Sequence, residues 1–171
     1  MKKNSAFFLL MFSVILISSN CNSGNHKRAK GKLPNFSLKD PRGKTFTSGE
    51  ILKKGLVIVV TAPTLSNESA QNGWNEFLVK TMPKKKVTLL FLEDMSVSDF
   101  KKTALKDMKK DYVPGTPPLL LIDTNGDVRK KLGVEAGKTS VLVYNKKGKL
   151  IYTVNDKPSL KTAKIIWGKL K

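Results

Sequence analysis

The chain has 171 residues and a formal net charge of +19, with 32 Lys or Arg against 13 Asp or Glu. This length accommodates one domain and a short extension, and a hydrophobic content of 40% suits a folded globule. The sequence contains one cysteine, Cys21, and one histidine, His26. It therefore excludes an intrachain disulfide and a structural zinc site with four nitrogen or sulfur ligands. We expect no metal and no cofactor.

The N-terminal segment has the pattern of an export signal. Lys2 and Lys3 precede an apolar run at 6–17, which has the length of a signal hydrophobic region and is too short to span a bilayer. Small and polar residues then lead to Cys21 in an arrangement that resembles a bacterial lipobox, although the strict pattern has Leu and Gly or Ala at two positions filled here by Ser and Asn. We predict a lipoprotein signal peptide at 1–20, with an ordinary secretory signal as the alternative.

The next segment, residues 21–32, is polar and rich in Gly, Ser and Lys, which predicts a flexible tether. His26 lies in it, so we expect this histidine to be solvated rather than catalytic. Removal of Lys2 and Lys3 with the signal leaves a mature charge of +17. The protein is then exported and anchored to a membrane of the bacterial envelope through lipid on Cys21.

Residues 33–171 alternate short apolar runs with turns, which predicts one α/β domain. The runs at 56–61 and 87–92 are typical of strands buried on both faces. Strands that alternate with helices indicate a parallel central part, and the last hairpin adds antiparallel strands. In chain order we predict a hairpin at 36–47, helix 48–54, strand 56–61, helix 67–81, strand 87–92, a helix striped by Phe100, Ala104, Met108 and Tyr112, strand 119–122, strands 141–144 and 150–154, and a helix striped by Leu160, Ala163, Ile166, Trp167 and Leu170.

This order and three local matches resemble the thioredoxin fold, in the redoxin branch that includes exported, membrane-tethered thiol:disulfide reductases. The matches are PNFSL with RGK at 34–44, LLLIDTNGDV with LGV at 119–134, and TSVLVYNKKGKL at 139–150. The resemblance covers residues 33–171. It implies a three-layer α/β/α domain with a mixed central sheet and an N-terminal β-hairpin.

The same resemblance implies an active site that this chain has lost. The family carries Cys-x-x-Cys at the start of the helix after the first core strand, where Ser66 and Ser69 stand here. A hydroxyl cannot form a disulfide. Lys138 occupies the position of the family's cis-proline, and we expect a trans peptide before it because a cis bond to a non-proline residue costs about 2.5–4 kcal/mol.

Three interpretations of the altered site remain open. Thr64, Ser66, Ser69 and Lys138 would form an anion-binding site at a helix start, or else a serine caps the helix and Lys138 points to water. A Ser66–Lys138 nucleophilic dyad would need a deprotonated lysine within hydrogen-bond reach. We therefore expect no catalytic residues.

The lysine runs indicate a basic surface that attracts anionic lipid, polysaccharide or acidic protein. They lie at 84–86, 101–102, 109–110 and 129–131. The chain has few arginines, so we do not expect nucleic acid as a partner, and we expect a monomer. The predicted function is non-catalytic binding or scaffolding at the cell envelope. The alternatives are a redoxin oxidoreductase or antioxidant acting through partner thiols, and an anion- or acidic-polymer-binding surface protein.

Overall fold

The computed structural model describes residues 31–52, 55–83, 87–98, 100–155 and 157–170. These residues form one mixed sheet of seven strands, covered by helices. The strands are β1 Ser37–Lys39, β2 Thr45–Thr47, β3 Leu56–Thr61, β4 Thr88–Asp94, β5 Leu119–Asp123, β6 Ser140–Tyr144 and β7 Leu150–Val154. The helices are α1 Ser48–Ile51, α2 Glu68–Lys80, α3 Lys101–Asp111, α4 Asp127–Lys131 and α5 Leu160–Gly168.

The sheet has the strand order β2-β1-β5-β4-β3-β6-β7. Its central strand, β4, pairs parallel with both β5 and β3, while β3 also pairs antiparallel with β6. Every residue of β3 is buried, because helices cover the sheet on both sides. The predicted α/β class, mixed central sheet and N-terminal hairpin are confirmed.

Alternate residues of the central strands feed two separate cores. On one face Ile58 and Leu92 pack with residues of α1 and α4. On the other face Val59 and Phe91 pack against Trp74 and Leu78 of α2 and against α5. This period-two division follows from the pleat of the strands, which sends successive side chains to opposite faces. The start of α2 is thereby fixed at the end of β3.

The third helix follows its predicted stripe in part. Phe100 is 52% exposed and immediately precedes α3, which contains no fully buried residue. Ala104 and Met108 are half-buried and Tyr112, just after the helix ends, is buried, as the stripe predicts. Five of the eleven residues of α3 are lysines, and all five are exposed. In α5, likewise, Leu160 is exposed while Ala163, Ile166 and Trp167 are buried.

Residue 31, the first that the structure describes, contacts the β6–β7 hairpin. Leu33 N–H donates to the Gly148 carbonyl at 2.8 Å, and Leu150 N–H donates to the Gly31 carbonyl at 2.9 Å. Residues 31 and 32, placed in the predicted tether, therefore pair with the β6–β7 hairpin. The signal peptide and Cys21 lie outside the described residues, and no helix within the described part is long and apolar enough to cross a membrane.

Candidate functional site

The candidate site lies in the turn that joins β3 to α2. Thr64 N–H donates to the Ala62 carbonyl at 2.8 Å, and Asn67 N–H donates to the Thr64 carbonyl at 3.0 Å. This turn brings the hydroxyl oxygens of Thr64 and Ser66 to 3.0 Å, a hydrogen-bond distance. Ser66 and Ser69 are both exposed, with Ser69 in the first turn of the helix. Three of the four predicted site residues thus lie on one short segment.

Asn67 ties this segment to the loop that contains Lys138. It occupies the residue before α2, but its side chain makes no capping hydrogen bond to the helix. The side-chain amide instead donates to the carbonyls of Ala62, at 3.3 Å, and Gly137, at 3.2 Å. The first backbone N–H groups of α2 are consequently left without a side-chain cap. Sequence analysis missed this residue, since Asn before a helix predicts a cap.

The side chain of Lys138 forms no hydrogen bond with Ser66 among the described contacts. Its peptide bond is trans, and the one cis bond among the described residues joins Pro117 and Pro118. The Lys138 side chain is exposed and lines a cleft of about 530 Å³ together with Glu135. Within the described residues no hydrogen bond or ion pair joins its amine to Ser66. The geometry required of a Ser–Lys dyad is therefore not formed.

A buried carboxyl group lies one strand away from the site. Glu93, at the end of β4, pairs in register with Thr61 and has no exposed surface. Gln71 of α2 donates its side-chain N–H to Glu93 Oε1 at 2.6 Å. Burial raises the pKa of Glu93 from 4.5 to about 8, so this carboxyl is protonated at neutral pH. The sequence carries no sign of this, because a glutamate at a strand end is ordinarily solvated.

Arg129 does not belong to the basic surface. Its guanidinium Nε lies 2.7 Å from Asp94 Oδ2, and the residue is 8% exposed. Its backbone N–H donates to Asp123 Oδ2 at 2.8 Å, which ties α4 to the end of β5. Burial raises the pKa of Asp123 against the lowering effect of these backbone hydrogen bonds. The predicted basic run at 129–131 is thus reduced to its two lysines.

No family model matches the sequence, and no curated protein matches it. Solved structures do match. A candidate thiol:disulfide interchange protein DsbE from Chlorobium tepidum is 17% identical, with a TM-score of 0.61 over 85% of this chain and 100% of its own. The domain has a thioredoxin-like fold.

Two other matched structures have this fold, and one is described as an exposed lipoprotein and the other as a secreted protein. The exposed lipoprotein thioredoxin of Streptococcus pneumoniae is 19% identical, with a TM-score of 0.57 over 77% of this chain and 99% of its own. A secreted disulfide oxidoreductase of Mycobacterium tuberculosis, homologous to Escherichia coli DsbE, is 15% identical, with a TM-score of 0.56 over 79% of this chain and 93% of its own. These matched structures support the resemblance of residues 33–171 to the thioredoxin fold.

Substitution Asn67→Ala is expected to destabilise the domain by about 1–3 kcal/mol, because it removes two hydrogen bonds, one to the buried Ala62 carbonyl and one to the half-buried Gly137 carbonyl. The matched control is Asn72→Ala, an exposed asparagine on the same helix, which should change stability by less than about 0.5 kcal/mol. Urea unfolding measures both. Equal losses in the two variants would contradict a bridging role for Asn67.

Proposed function

We propose that this protein is an exported lipoprotein whose thioredoxin-like domain binds a partner at the cell envelope without redox catalysis. The observation that carries the proposal is the segment at the start of α2. Ser66 and Ser69 stand where the resemblance places the two cysteines, and the only cysteine of the chain is Cys21. Thiol–disulfide exchange requires a thiolate, which a serine hydroxyl does not provide.

Export and anchoring rest on the N-terminal sequence. The two lysines, the apolar run at 6–17 and Cys21 have the spacing of a lipoprotein signal. The pneumococcal structure supports this assignment by analogy, since it is a thioredoxin described as an exposed lipoprotein. In the proposed arrangement, lipid on Cys21 holds the domain at the membrane. We propose no particular membrane or face.

The partner in this proposal is anionic. The mature chain would carry a charge of +17, and α3 alone presents five exposed lysines. Anionic lipid, polysaccharide or acidic protein would be attracted to such a surface. Thr64, Ser66 and Ser69 are the proposed specific contacts at the uncapped N-terminus of α2. A helix N-terminus in that state favours negative charge. Lys138 would reach the same ligand from the neighbouring loop, which Asn67 joins to this segment through the Gly137 carbonyl.

A pull-down from envelope extract tests the proposal. The bait is the chain from residue 21 with Cys21→Ser, used beside Lys138→Ala and a matched control, Lys146→Ala. Lys146 is an exposed lysine of the β6–β7 turn, so it removes the same charge away from the candidate site. We expect a partner that survives a wash at about 0.5 M salt and is lost only with Lys138→Ala.

Salt separates a specific site from general attraction. Exposed charges are screened beyond about 8 Å at physiological ionic strength and beyond about 3 Å at 1 M. If every partner is lost as salt rises, or if both lysine variants lose it equally, the basic surface accounts for the binding. That result would contradict the contacts assigned to Lys138.

A further inference from the structure

A cavity of about 250 Å³ lies between α2 and the segment that follows α3. Its apolar walls include Phe91 of β4, Met108 of α3 and Leu120 of β5. Its polar side includes Gln71 and Glu93, the pair described above. The cavity is separate from the Thr64–Ser69 segment, none of whose residues lines it.

Glu93 has an unused hydrogen-bonding atom here. Oε1 accepts a hydrogen bond from the Gln71 amide, whereas Oε2 is buried and has no hydrogen-bond partner among the residues that the structure describes. Buried polar atoms in native proteins are almost always paired, and an unpaired one costs about 1–3 kcal/mol. A ligand that donates a hydrogen bond to Oε2 would recover this free energy. Glu93 is among the lining residues but its side chain has no exposed surface, so a ligand reaches Oε2 only when the side chains that cover it at the cavity wall move aside.

The charges around the cavity favour a cation. Among the described residues that line it, Asp111 and Tyr112 are the other titratable groups, and none is Lys, Arg or His. Burial, with Asp40 alongside, raises the pKa of Tyr112, so its phenol stays neutral near pH 7. Glu93 and the exposed Asp111 are then the groups in this described lining that can carry charge.

We propose that this cavity binds a primary ammonium or guanidinium group, with Glu93 Oε2 accepting its N–H and the apolar walls holding its carbon chain. The cation is either a small free amine or a Lys or Arg side chain of a partner protein. Binding ionises Glu93, and the proton it releases passes to solvent. The proposal is independent of the contacts assigned to Thr64, Ser66, Ser69 and Lys138, because none of these residues lines the cavity. Met108 and Asp111, which do line it, belong to α3, the helix that also carries five lysines.

Calorimetry with benzylamine on the full-length chain in detergent tests this inference. Benzyl alcohol is the neutral comparison, of similar size and shape. We expect benzylamine to bind at least tenfold more tightly than benzyl alcohol. Its affinity should rise by up to about tenfold per pH unit from pH 6 towards pH 8, because burial raises the pKa of Glu93 to about 8.

Glu93→Gln should weaken benzylamine binding at least tenfold and abolish its pH dependence. The matched control is Glu76→Gln, an exposed carboxylate of α2, which should leave the affinity within twofold. A second variant, Asn75→Trp, fills the cavity from an exposed helix position and should also abolish binding. Equal binding of amine and alcohol, no binding of either, or binding unchanged in Glu93→Gln would overturn the proposal.

The source of the cation is resolved by a second titration. A blocked pentapeptide with one central lysine is compared with the same peptide carrying norleucine at that position. Tighter binding of the lysine peptide than of benzylamine assigns the cavity to a protein side chain. Binding of benzylamine without the lysine peptide assigns it to a small free amine.

Discussion

Insulin reduction is expected to be absent from the natural chain and to appear in the double variant Ser66→Cys/Ser69→Cys. The substitutions place two thiols three residues apart where β3 leads into α2. The first N–H groups of this helix have no side-chain cap, so they are available to stabilise a thiolate at position 66. In helical geometry the Cα atoms of residues three apart lie about 5 Å from each other, within the Cα separations of about 4.4–6.8 Å that a disulfide spans.

The control variants distinguish the effect of where the two thiols lie from the effect of adding two thiols. All chains carry Cys21→Ser, and the comparison pair is Asn72→Cys/Asn75→Cys, with the same spacing on exposed positions further along the same helix. This pair has no free N–H groups beside it, so we expect its thiols to keep an ordinary pKa near 8.5 and to give little activity. Activity in the natural chain would refute the non-catalytic function. Equal activity in the two double variants would refute the assignment of Ser66 and Ser69 to the lost redox positions.

The parts of the fold that were predictable are those with a local signal. The run at 56–61 is apolar at nearly every position, so it predicts a strand buried on both faces, and β3 is one. Trp74 and Leu78 recur at helical spacing, and both are buried on the side of α2 that packs against the sheet. The short helix α4 was not predictable, because its five residues contain too little periodicity.

The site depends on contacts between distant parts of the chain, which local patterns do not encode. Asn67 donates to Gly137, 70 positions further along, so its sequence context favours a helix cap instead. Lys138 follows Gly137, yet its side chain lines a cleft to which Ser66 and Ser69 do not contribute. The family pattern located the loop and the helix start correctly. It could not determine where an exposed lysine side chain points.

Glu93→Gln is expected to stabilise the domain at alkaline pH and to change little near pH 4.5. The pKa of Glu93 is raised from 4.5 to about 8 in the folded protein because burial disfavours its charged form. Between these values the unfolded chain ionises while the folded chain stays protonated. The contribution of Glu93 to the free energy of unfolding is therefore fully present below pH 4.5 and is lost as the pH rises through about 8.

The size of the loss follows from the shift. Each pH unit between 4.5 and 8 lowers the free energy of unfolding of the natural chain by up to about 1.4 kcal/mol. Over the whole range this loss is on the order of 5 kcal/mol, and the Glu93→Gln variant does not undergo it. Urea unfolding at pH 5, 7 and 8.5 measures the difference between the two chains, with Glu76→Gln as the exposed control. Parallel stability profiles for the natural chain and Glu93→Gln would show that Glu93 is already ionised in the fold. A growing difference would establish a neutral carboxyl beside Gln71, which is the state that an amine must deprotonate on binding.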